Sequence, residues 1–337
     1  MVLPVRRSVP CVSTSLKVFS YSLPRRYAPR RGLHPDLEFP TQAYEALAEF
    51  FARCAGTSRP SEADFFFVPV NLIKHQYANE DPGPDLLPRL RYLGERKDHM
   101  LVATLPASQR SKKNHFGEAY LETYDWLDPF VLLANESTSD LIEGQDVGIF
   151  PYHTLADGPA DGPDPGGDRP LLYSFLGTFE HRFLPETHVR TRMARLQGSA
   201  PEMFVGTRLE NELRARLRPH PDADDYELLA RNSIFTLAPA GYGRSTYRFF
   251  QSIQWGSVPV MLSDDYVTPF AESIPWDSFT LTIPERELDR VDEIIRGIPP
   301  ERIEAFRRNL ALNQHHFTKR GFFELLVKRL ERMRDAR

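Results

Sequence analysis

The sequence has few cysteines, little net charge and no long apolar run. Its 337 residues include only Cys11 and Cys54, which are too few for a disulfide framework or a cysteine-based metal cluster. So few cysteines are typical of a protein from a reducing compartment, or from an oxidising one in which disulfides are not needed. A formal net charge of −4 argues against a nucleic-acid-binding protein, which needs a strongly basic surface. No apolar run approaches the about 20 residues of a membrane span, so we expect no transmembrane segment and a cytoplasmic protein.

The N-terminal stretch lacks acidic residues. Residues 1–32 carry seven Lys and Arg side chains and no Asp or Glu, a composition that is also found in transit peptides. However, "LKVFSYSLP" in this stretch has the pattern of a first core strand, which a cleaved peptide would not supply. We therefore interpret residues 1–32 as part of the folded protein.

Short, continuously apolar runs recur along the chain. Such runs are typical of strands that are buried on both faces, as in parallel sheets. Helix-like segments lie between them, so the pattern predicts an α/β fold. The predicted strands are 16–23, 63–70, 99–105, 146–152, 171–178, 202–207, 233–239 and 258–262.

The segment "ADGPADGPDPGGDRP" at 156–170 is too rich in Gly, Pro and Asp to form a helix or strand. We interpret it as a linker; a long surface loop within one domain is the alternative. The predicted organisation is an N-terminal domain at 1–155, a linker at 156–170, a second domain at 171–300 and closing helices at 301–337. A helix is also predicted at 41–55, with Thr41 as a plausible N-cap.

The stretch "GYGRSTYRFFQSIQWGSVPVMLSDD" at 241–265 reads as a glycine turn, a helix and a strand. Gly241 and Gly243 favour a tight turn, and Ser245 or Thr246 can cap a helix that runs to about Trp255. Gly256 then ends the helix before "VPVML". Because "SIFTLAP" precedes the turn, the whole unit is strand, turn, helix, strand.

This turn has the properties of a phosphate site. Ligands of parallel sheets bind beyond the carboxyl ends of the strands, and a helix N-terminus there offers free N–H groups and partial positive charge. Arg244 and Arg248 add guanidinium groups that suit a diphosphate. The simpler interpretation is that both arginines are solvated and the glycines only turn the chain.

The same stretch resembles the C-terminal motif block of the exostosin-like glycosyltransferases. The N-terminal half agrees through "VFSYSLPRRY", "EADFFFVPV" and the pair Asp98-His99, and "DRPLLYSFLGT" resembles the strand that opens the family's second half. The resemblance covers residues 16 to about 310. The positions that match the C-terminal block are Arg248, Gly256, Pro259, Val260, Asp264, Pro269, Phe270 and Trp276.

The resemblance implies a GT-B fold, in which two Rossmann-like domains face each other across a cleft and the C-terminal helices cross back to the N-terminal domain. It further implies inverting transfer of a sugar from a nucleotide-sugar, with UDP as the expected nucleotide, to a glycan or other hydroxyl acceptor. No metal or other cofactor is expected. The C-terminal domain would hold the nucleotide, and the N-terminal domain would face the acceptor.

One position departs from the family pattern. Relatives commonly carry an acid where this chain has Gln251, and an acid could accept hydrogen bonds from both ribose hydroxyls, whereas a glutamine offers one uncharged carbonyl. A nucleotide- or glycan-binding pseudo-enzyme is therefore the alternative to an active transferase. Another α/β enzyme with a phosphate turn, such as a phosphosugar isomerase, is a third hypothesis.

Other candidate residues have weaker signals. Asp264 follows the end of a strand and could contact the donor, and Arg182 could add to the positive field at the diphosphate. Asp98 or His99 could serve as the base that accepts the acceptor's proton; a structural hydrogen bond is the alternative. The pairs Asp222/Asp224 and Asp264/Asp265 invite a metal interpretation, although acids before a helix are also favoured by its dipole.

Overall fold

A computed structural model describes residues 8–27, 35–72, 75, 80–94, 99–103, 115–116, 119–120, 124–135, 141–158, 167–180, 189–220, 222–241, 244, 246–264 and 266–337. The strands are β1 Val18–Ser20, β2 Phe65–Phe67, β3 His99–Ala103, β4 His115–Phe116, β5 Ala119–Tyr120, β6 Val131–Ala134, β7 Val147–Gly148, β8 Leu171–Leu176, β9 Gly198–Ala200, β10 Met203–Gly206, β11 Ser233–Pro239, β12 Val258–Leu262 and β13 Leu281–Thr282.

The helices follow the same order along the chain. The α-helices are α1 Pro35–Arg53, α2 Gly83–Leu86, α3 Val189–Met193, α4 Asn211–Arg214, α5 Asp225–Arg231, α6 Tyr247–Gln254, α7 Val291–Arg296, α8 Pro300–Asn313 and α9 Lys319–Asp335. The 3₁₀ turns are Arg25–Tyr27, Pro60–Glu62, Leu87–Arg89, Asp125–Leu127, Tyr152–Thr154, Ala194–Leu196, Trp276–Ser278, Glu285–Arg290 and Gln314–Phe317.

The first half forms a five-stranded sheet in the order β1-β2-β3-β6-β7. All of its neighbouring strands run parallel. Strand β2 is three phenylalanines that are fully buried, because helices and loops cover both faces of the sheet. The strands β4 and β5 form a separate antiparallel hairpin.

The second half forms a six-stranded sheet in the order β13-β12-β11-β8-β10-β9. Its strands are parallel except for β9, which pairs antiparallel with β10 at the edge. Among the described residues the two sheets share no strand, so the prediction of two separate parallel sheets and the GT-B fold class is confirmed. The exact domain boundaries stay a prediction.

The C-terminal helix α9 packs against the first half of the chain. The ring of Phe323 stacks on Phe50 of α1 with the centroids 4.2 Å apart. Near the other end of α9, the Glu331 carboxylate accepts hydrogen bonds from the backbone and hydroxyl of Ser15, both at 3.0 Å. The expected return of the C-terminal helices to the N-terminal domain is therefore confirmed.

Two local expectations were wrong. Helix α1 begins at Pro35 and not near residue 41, so Thr41 does not cap it; the Thr41 hydroxyl instead accepts a hydrogen bond from Asn71 Nδ2 at 3.3 Å. The two cysteines were not expected to pair, but Cys11 and Cys54 form a disulfide with a Cα–Cα distance of 5.4 Å. This distance lies within the normal range for disulfides. The bond attaches the N-terminal segment to the end of α1.

None of the helices among the described residues is both long enough and apolar enough to cross a bilayer.

Candidate functional site

The second sheet contains a topological switch point between β8 and β11. From β8 the chain continues to β10 on one side, whereas from β11 it continues to β12 on the other. Loops that leave neighbouring strands in opposite directions open a crevice at the carboxyl ends, which is where α/β sheets bind ligands. The crevice beyond β8 and β11 is therefore the candidate site.

The predicted strand, turn and helix unit forms one wall of this crevice. After β11, Ala240 donates its backbone N–H to Leu262 O at 3.2 Å, and Gly241 follows. Thr246 caps α6 by accepting from the Arg248 N–H at 3.4 Å. Gly256, with a φ of +72°, ends the helix, as predicted. The N-terminus of α6 thus lies at the carboxyl end of β11; Gly243 and Ser245 lie outside the described residues.

Arg190 of α3 joins the two loops of the switch point. Its Nε donates to Ala240 O at 2.9 Å, and its Nη1 donates to Thr178 O at 3.3 Å. The guanidinium also lies 5.8 Å from the ring centroid of Phe175 in β8. A positive charge is therefore held between the ends of β8 and β11. Arg182, which was expected to add to the positive field at the diphosphate, lies outside the described residues.

Arg244 lies in an ion-pair cluster at the ends of β12 and β13. Its Nη1 is 3.6 Å from Glu285 Oε1. Glu285 and Asp264 bond reciprocally, because the Asp264 N–H donates to Glu285 Oε1 at 3.3 Å and the Glu285 N–H donates to Asp264 Oδ1 at 2.8 Å. Burial raises the pKa of the Glu285 carboxyl, an effect opposed by the Asp264 N–H. Sequence reasoning found Arg244 and Asp264 and missed Glu285.

Arg248 and Gln251 bond to each other on the first turns of α6. Arg248 Nη1 donates to Gln251 Oε1 at 2.8 Å. The Arg248 guanidinium carbon lies 3.3 Å from the ring centroid of Tyr226 in α5, and burial lowers its pKa. Such stacking holds the planar guanidinium in one orientation.

His153 brings a residue from the segment after β7 to the N-terminus of α6. Its imidazole meets the ring of Tyr247 edge to face, with the centroids 4.1 Å apart and the planes at 84°. Burial lowers the pKa of His153 to about 4, so the imidazole is neutral near pH 7. Sequence reasoning missed this residue, because "FPYHT" carries no recognisable site pattern.

The acidic residues that invited a metal interpretation have structural roles wherever they lie among the described residues. Asp224 caps α5 by accepting from the Glu227 N–H at 2.8 Å, as the helix-dipole interpretation predicted. Asp222 has a φ of 65° in the preceding turn, and Asp265 lies outside the described residues. In the described part of the chain, no three His, Cys, Asp or Glu side chains are grouped to hold a metal ion.

Only one of the two acceptor-side candidates lies among the described residues. Asp98 lies outside the described residues. His99 is fully buried at the start of β3, where its Nε2 is hydrogen-bonded to the Tyr21 hydroxyl at 2.8 Å and its ring stacks on Phe66 with the centroids 4.9 Å apart. This environment favours the structural alternative for His99.

A second concavity lies beside the switch point. A cavity of about 420 Å³ is lined by residues 197–198 and 204–212, at the carboxyl end of β10. The loops after β8 and β10 are joined by a bond from the Gly177 N–H to Gly206 O at 3.0 Å. The cavity is thus next to the candidate site along the same edge of the sheet.

Comparisons with known proteins agree with the resemblance seen in the sequence. Exostosin-1 of Drosophila melanogaster is 27% identical over 271 residues, which cover 75% of this chain and 35% of that protein. A probable glucuronosyltransferase of Oryza sativa subsp. japonica is 26% identical over 330 residues and covers 88% of this chain and 73% of that protein. The chain thus spans about a third of the fly protein's length.

Solved structures show weaker likeness. The GtfA/B complex matches with a TM-score of 0.43 at 13% identity and covers 81% of this chain and 58% of that one. A glycosyltransferase from Rickettsia africae matches with a TM-score of 0.41 at 8% identity, and the match covers 90% of this chain and 83% of that one. At these scores the likeness carries no argument about function.

The family model described as the exostosin GT47 domain matches residues 13–298. This range contains both parallel sheets and the whole candidate site. The chain therefore belongs to the exostosin GT47 family of glycosyltransferases.

Proposed function

We propose that the protein is an inverting glycosyltransferase that moves a sugar from a UDP-sugar to a hydroxyl group of a glycan or other acceptor. The observation that carries the proposal is the switch point of the second sheet, where the N-terminus of α6 lies close to the guanidinium groups of Arg190 and Arg244. Free N–H groups and fixed positive charge at such a place suit a diphosphate.

Inversion requires a single displacement at the anomeric carbon. The acceptor oxygen attacks, the bond to the diphosphate breaks, and negative charge builds on the leaving group. The N-terminus of α6, Arg244 and Arg248 stabilise that charge in this proposal, because preorganised donors act most strongly where charge develops. Gly241 supplies the turn that brings the backbone close.

A base must accept the proton of the attacking hydroxyl. We place this base in the first half of the chain and keep Asp98 as the candidate. His99 is the weaker choice, because its imidazole is inside the aromatic core. The absence of a required divalent cation is part of the proposal: turnover should survive excess chelator, and loss restored by Mn²⁺ would contradict it.

The donor sugar is not assigned. The rice relative is named a probable glucuronosyltransferase, whereas a relative from Arabidopsis thaliana that is 37% identical over 86 residues is named a probable β-1,4-xylosyltransferase. The cytoplasmic location also stays a prediction. The Cys11–Cys54 disulfide favours an oxidising compartment instead.

A nucleotide-binding protein with weakened catalysis is the second candidate. It is favoured by Gln251, which stands where relatives have an acid and whose carbonyl already accepts a bond from Arg248. Binding without transfer or donor hydrolysis would support this candidate over the first.

The testing experiment is a thermal-shift screen with UDP, GDP, CDP, ADP and UDP-sugars, followed by assays of donor hydrolysis and transfer. A ligand at 100 times its Kd stabilises the native state by about 2.7 kcal/mol, so UDP should raise the Tm clearly. If no nucleoside diphosphate raises the Tm, the proposed function is wrong.

A further inference from the structure

Glu285 occupies a defined position at the edge of the second sheet. Its reciprocal backbone bonds with Asp264 join the loop after β12 to the turn after β13. Arg244, from the turn between β11 and α6, reaches the same carboxylate. Three loops at the carboxyl ends of neighbouring strands therefore converge on one side chain.

The Glu285 carboxylate is only partly used by these contacts. The bond from Asp264 and the ion pair with Arg244 both involve Oε1, and no contact to Oε2 is recorded among the described residues. The side chain is 14% exposed, so it is accessible at the surface of the crevice but largely shielded from water. Such a carboxylate can accept hydrogen bonds from two ligand hydroxyls.

A second polar residue precedes Asp264 in the same loop. Ser263, the residue between β12 and Asp264, is 3% exposed, and its Oγ has no hydrogen-bond partner in the structure. Buried hydroxyls nearly always have a partner, and an exception requires an explanation. A ligand that carries hydroxyl groups would supply one.

Helix α6 provides no charged acceptor at position 251 for the hydroxyl groups of a nucleotide-sugar. The resemblance to the exostosin-like family implies an acid at position 251, whereas this chain has Gln251, whose carbonyl accepts a hydrogen bond from Arg248. Position 251 therefore offers no charge, and its carbonyl oxygen, which already accepts one bond, has only one further lone pair for the hydroxyls of a nucleotide-sugar.

We propose that Glu285 binds a vicinal diol of the nucleotide-sugar through Oε2, with the Ser263 hydroxyl as a neighbouring contact. The inference rests on the proposed function and assigns a residue to the same site. The diol belongs either to the ribose or to the transferred sugar, both of which present the same chemistry. Arg244 ties the carboxylate to the phosphate turn, so that diol and diphosphate are held by one connected group.

The test is calorimetric titration of the wild-type protein and of the Glu285→Gln variant. The ligands are UDP, 2′-deoxy-UDP and five UDP-sugars. The sugars are UDP-glucose, UDP-galactose, UDP-xylose, UDP-glucuronic acid and UDP-N-acetylglucosamine. Glutamine keeps an Oε1 that can accept from the Asp264 N–H, so the loops should stay in place. The matched control is Asp289→Asn. Asp289 forms ion pairs with Arg192 and Arg195, so its replacement also removes a nearby paired carboxylate.

A ribose contact predicts that Glu285→Gln weakens UDP binding about 10- to 100-fold, as expected for bonds to a charged group, and that 2′-deoxy-UDP then binds as well as UDP. A contact to the transferred sugar predicts unchanged UDP affinity and loss of the extra affinity of the best UDP-sugar. Either result supports the inference, provided that Asp289→Asn binds like wild type.

Glu285→Gln that binds every ligand like wild type would overturn the inference. An equal loss for UDP, 2′-deoxy-UDP and the UDP-sugars would also overturn it, because it shows a structural role. Both outcomes leave the proposed function intact. Wild-type protein that binds none of the nucleotides would instead refute the proposed function, and the inference would fall with it.

Discussion

The two sheets place their candidate site residues differently. In the first sheet, His99 lies within the core, bonded to Tyr21 and stacked on Phe66. In the second, Arg190 and Arg244 lie beyond the carboxyl ends of the strands and bond to loops of the crevice. Position relative to the strand end, more than residue type, therefore separates a core residue from a site residue.

A catalytic role for His99 would contradict this contrast between core and site residues most directly. We expect His99→Ala to lower the free energy of unfolding by about 3–5 kcal/mol, as for other large rings removed from a core. His99→Phe should cost less, about 1 kcal/mol for the lost hydrogen bond to Tyr21, because the Tyr21 hydroxyl still accepts from the Tyr92 N–H at 3.3 Å, and should keep turnover. Urea unfolding and a transfer assay on both variants measure this. A stable His99→Phe protein without turnover would make His99 a catalytic residue.

The second test concerns His153, which connects the first half to α6. Its folded pKa of about 4 lies below the unfolded value near 6.5. The unfolded state thus binds more protons between these pH values, and stability should rise with pH across this window. The difference corresponds to about 3 kcal/mol at 1.36 kcal/mol per pKa unit.

His153→Phe should flatten the dependence of the unfolding free energy on pH between 4 and 6.5, as measured by urea titrations. His316 is the matched control. Burial also lowers the pKa of His316 to about 4, but this side chain is more exposed, so solvent screening should make its effect smaller. An unchanged slope in His153→Phe would show that its imidazole is solvated.

Arg248 tests the charged edge of the second sheet. If it contacts the diphosphate, Arg248→Ala should weaken UDP binding about 10- to 100-fold, which corresponds to the roughly 1.5–3 kcal/mol of a charge-assisted bond. Arg248→Lys should restore only part, because lysine cannot stack on Tyr226 as a planar group. Calorimetry and thermal melting on the same samples separate the roles. If Arg248→Ala has a lower Tm but binds UDP normally, Arg248 only stabilises the packing of α5 on α6 and does not contact the nucleotide.

The smallest effect is expected at Asp224. Loss of an N-cap costs about 1 kcal/mol, so Asp224→Ala should lower the unfolding free energy by that amount, whereas Asp224→Asn should be close to wild type. Neither variant should change turnover in Mn²⁺ or in chelator. A loss of activity in Asp224→Asn without a change in stability would revive the metal interpretation.

Sequence patterns located the strands well where apolar runs are continuous. The predicted strands at 233–239 and 258–262 coincide with β11 and β12, because glycine and polar turns bound both runs. Strand β6 was missed, since four apolar residues alone do not distinguish a strand from a helix. Helix α1 was started too late because Thr41 was taken as its N-cap, whereas the helix begins at Pro35 and runs through Thr41.

The site was predictable only where its signal is local. The cap at Thr246 is adjacent to its helix in sequence, and it was found. The stacking of Arg248 on Tyr226 and the bonding of Glu285 to Asp264 depend on which elements become neighbours. No spacing rule encodes such pairs, because sheet order decides them.

The packing of α9 on α1 has a consequence for synthesis on the ribosome. Phe50 emerges early, but its stacking partner Phe323 follows about 270 residues later. At the usual rates of 5–20 residues per second, this delay is roughly 15 to 50 s. During that time the apolar face of α1 has no partner from α9, so the nascent chain should be most prone to chaperone binding until α9 has been made.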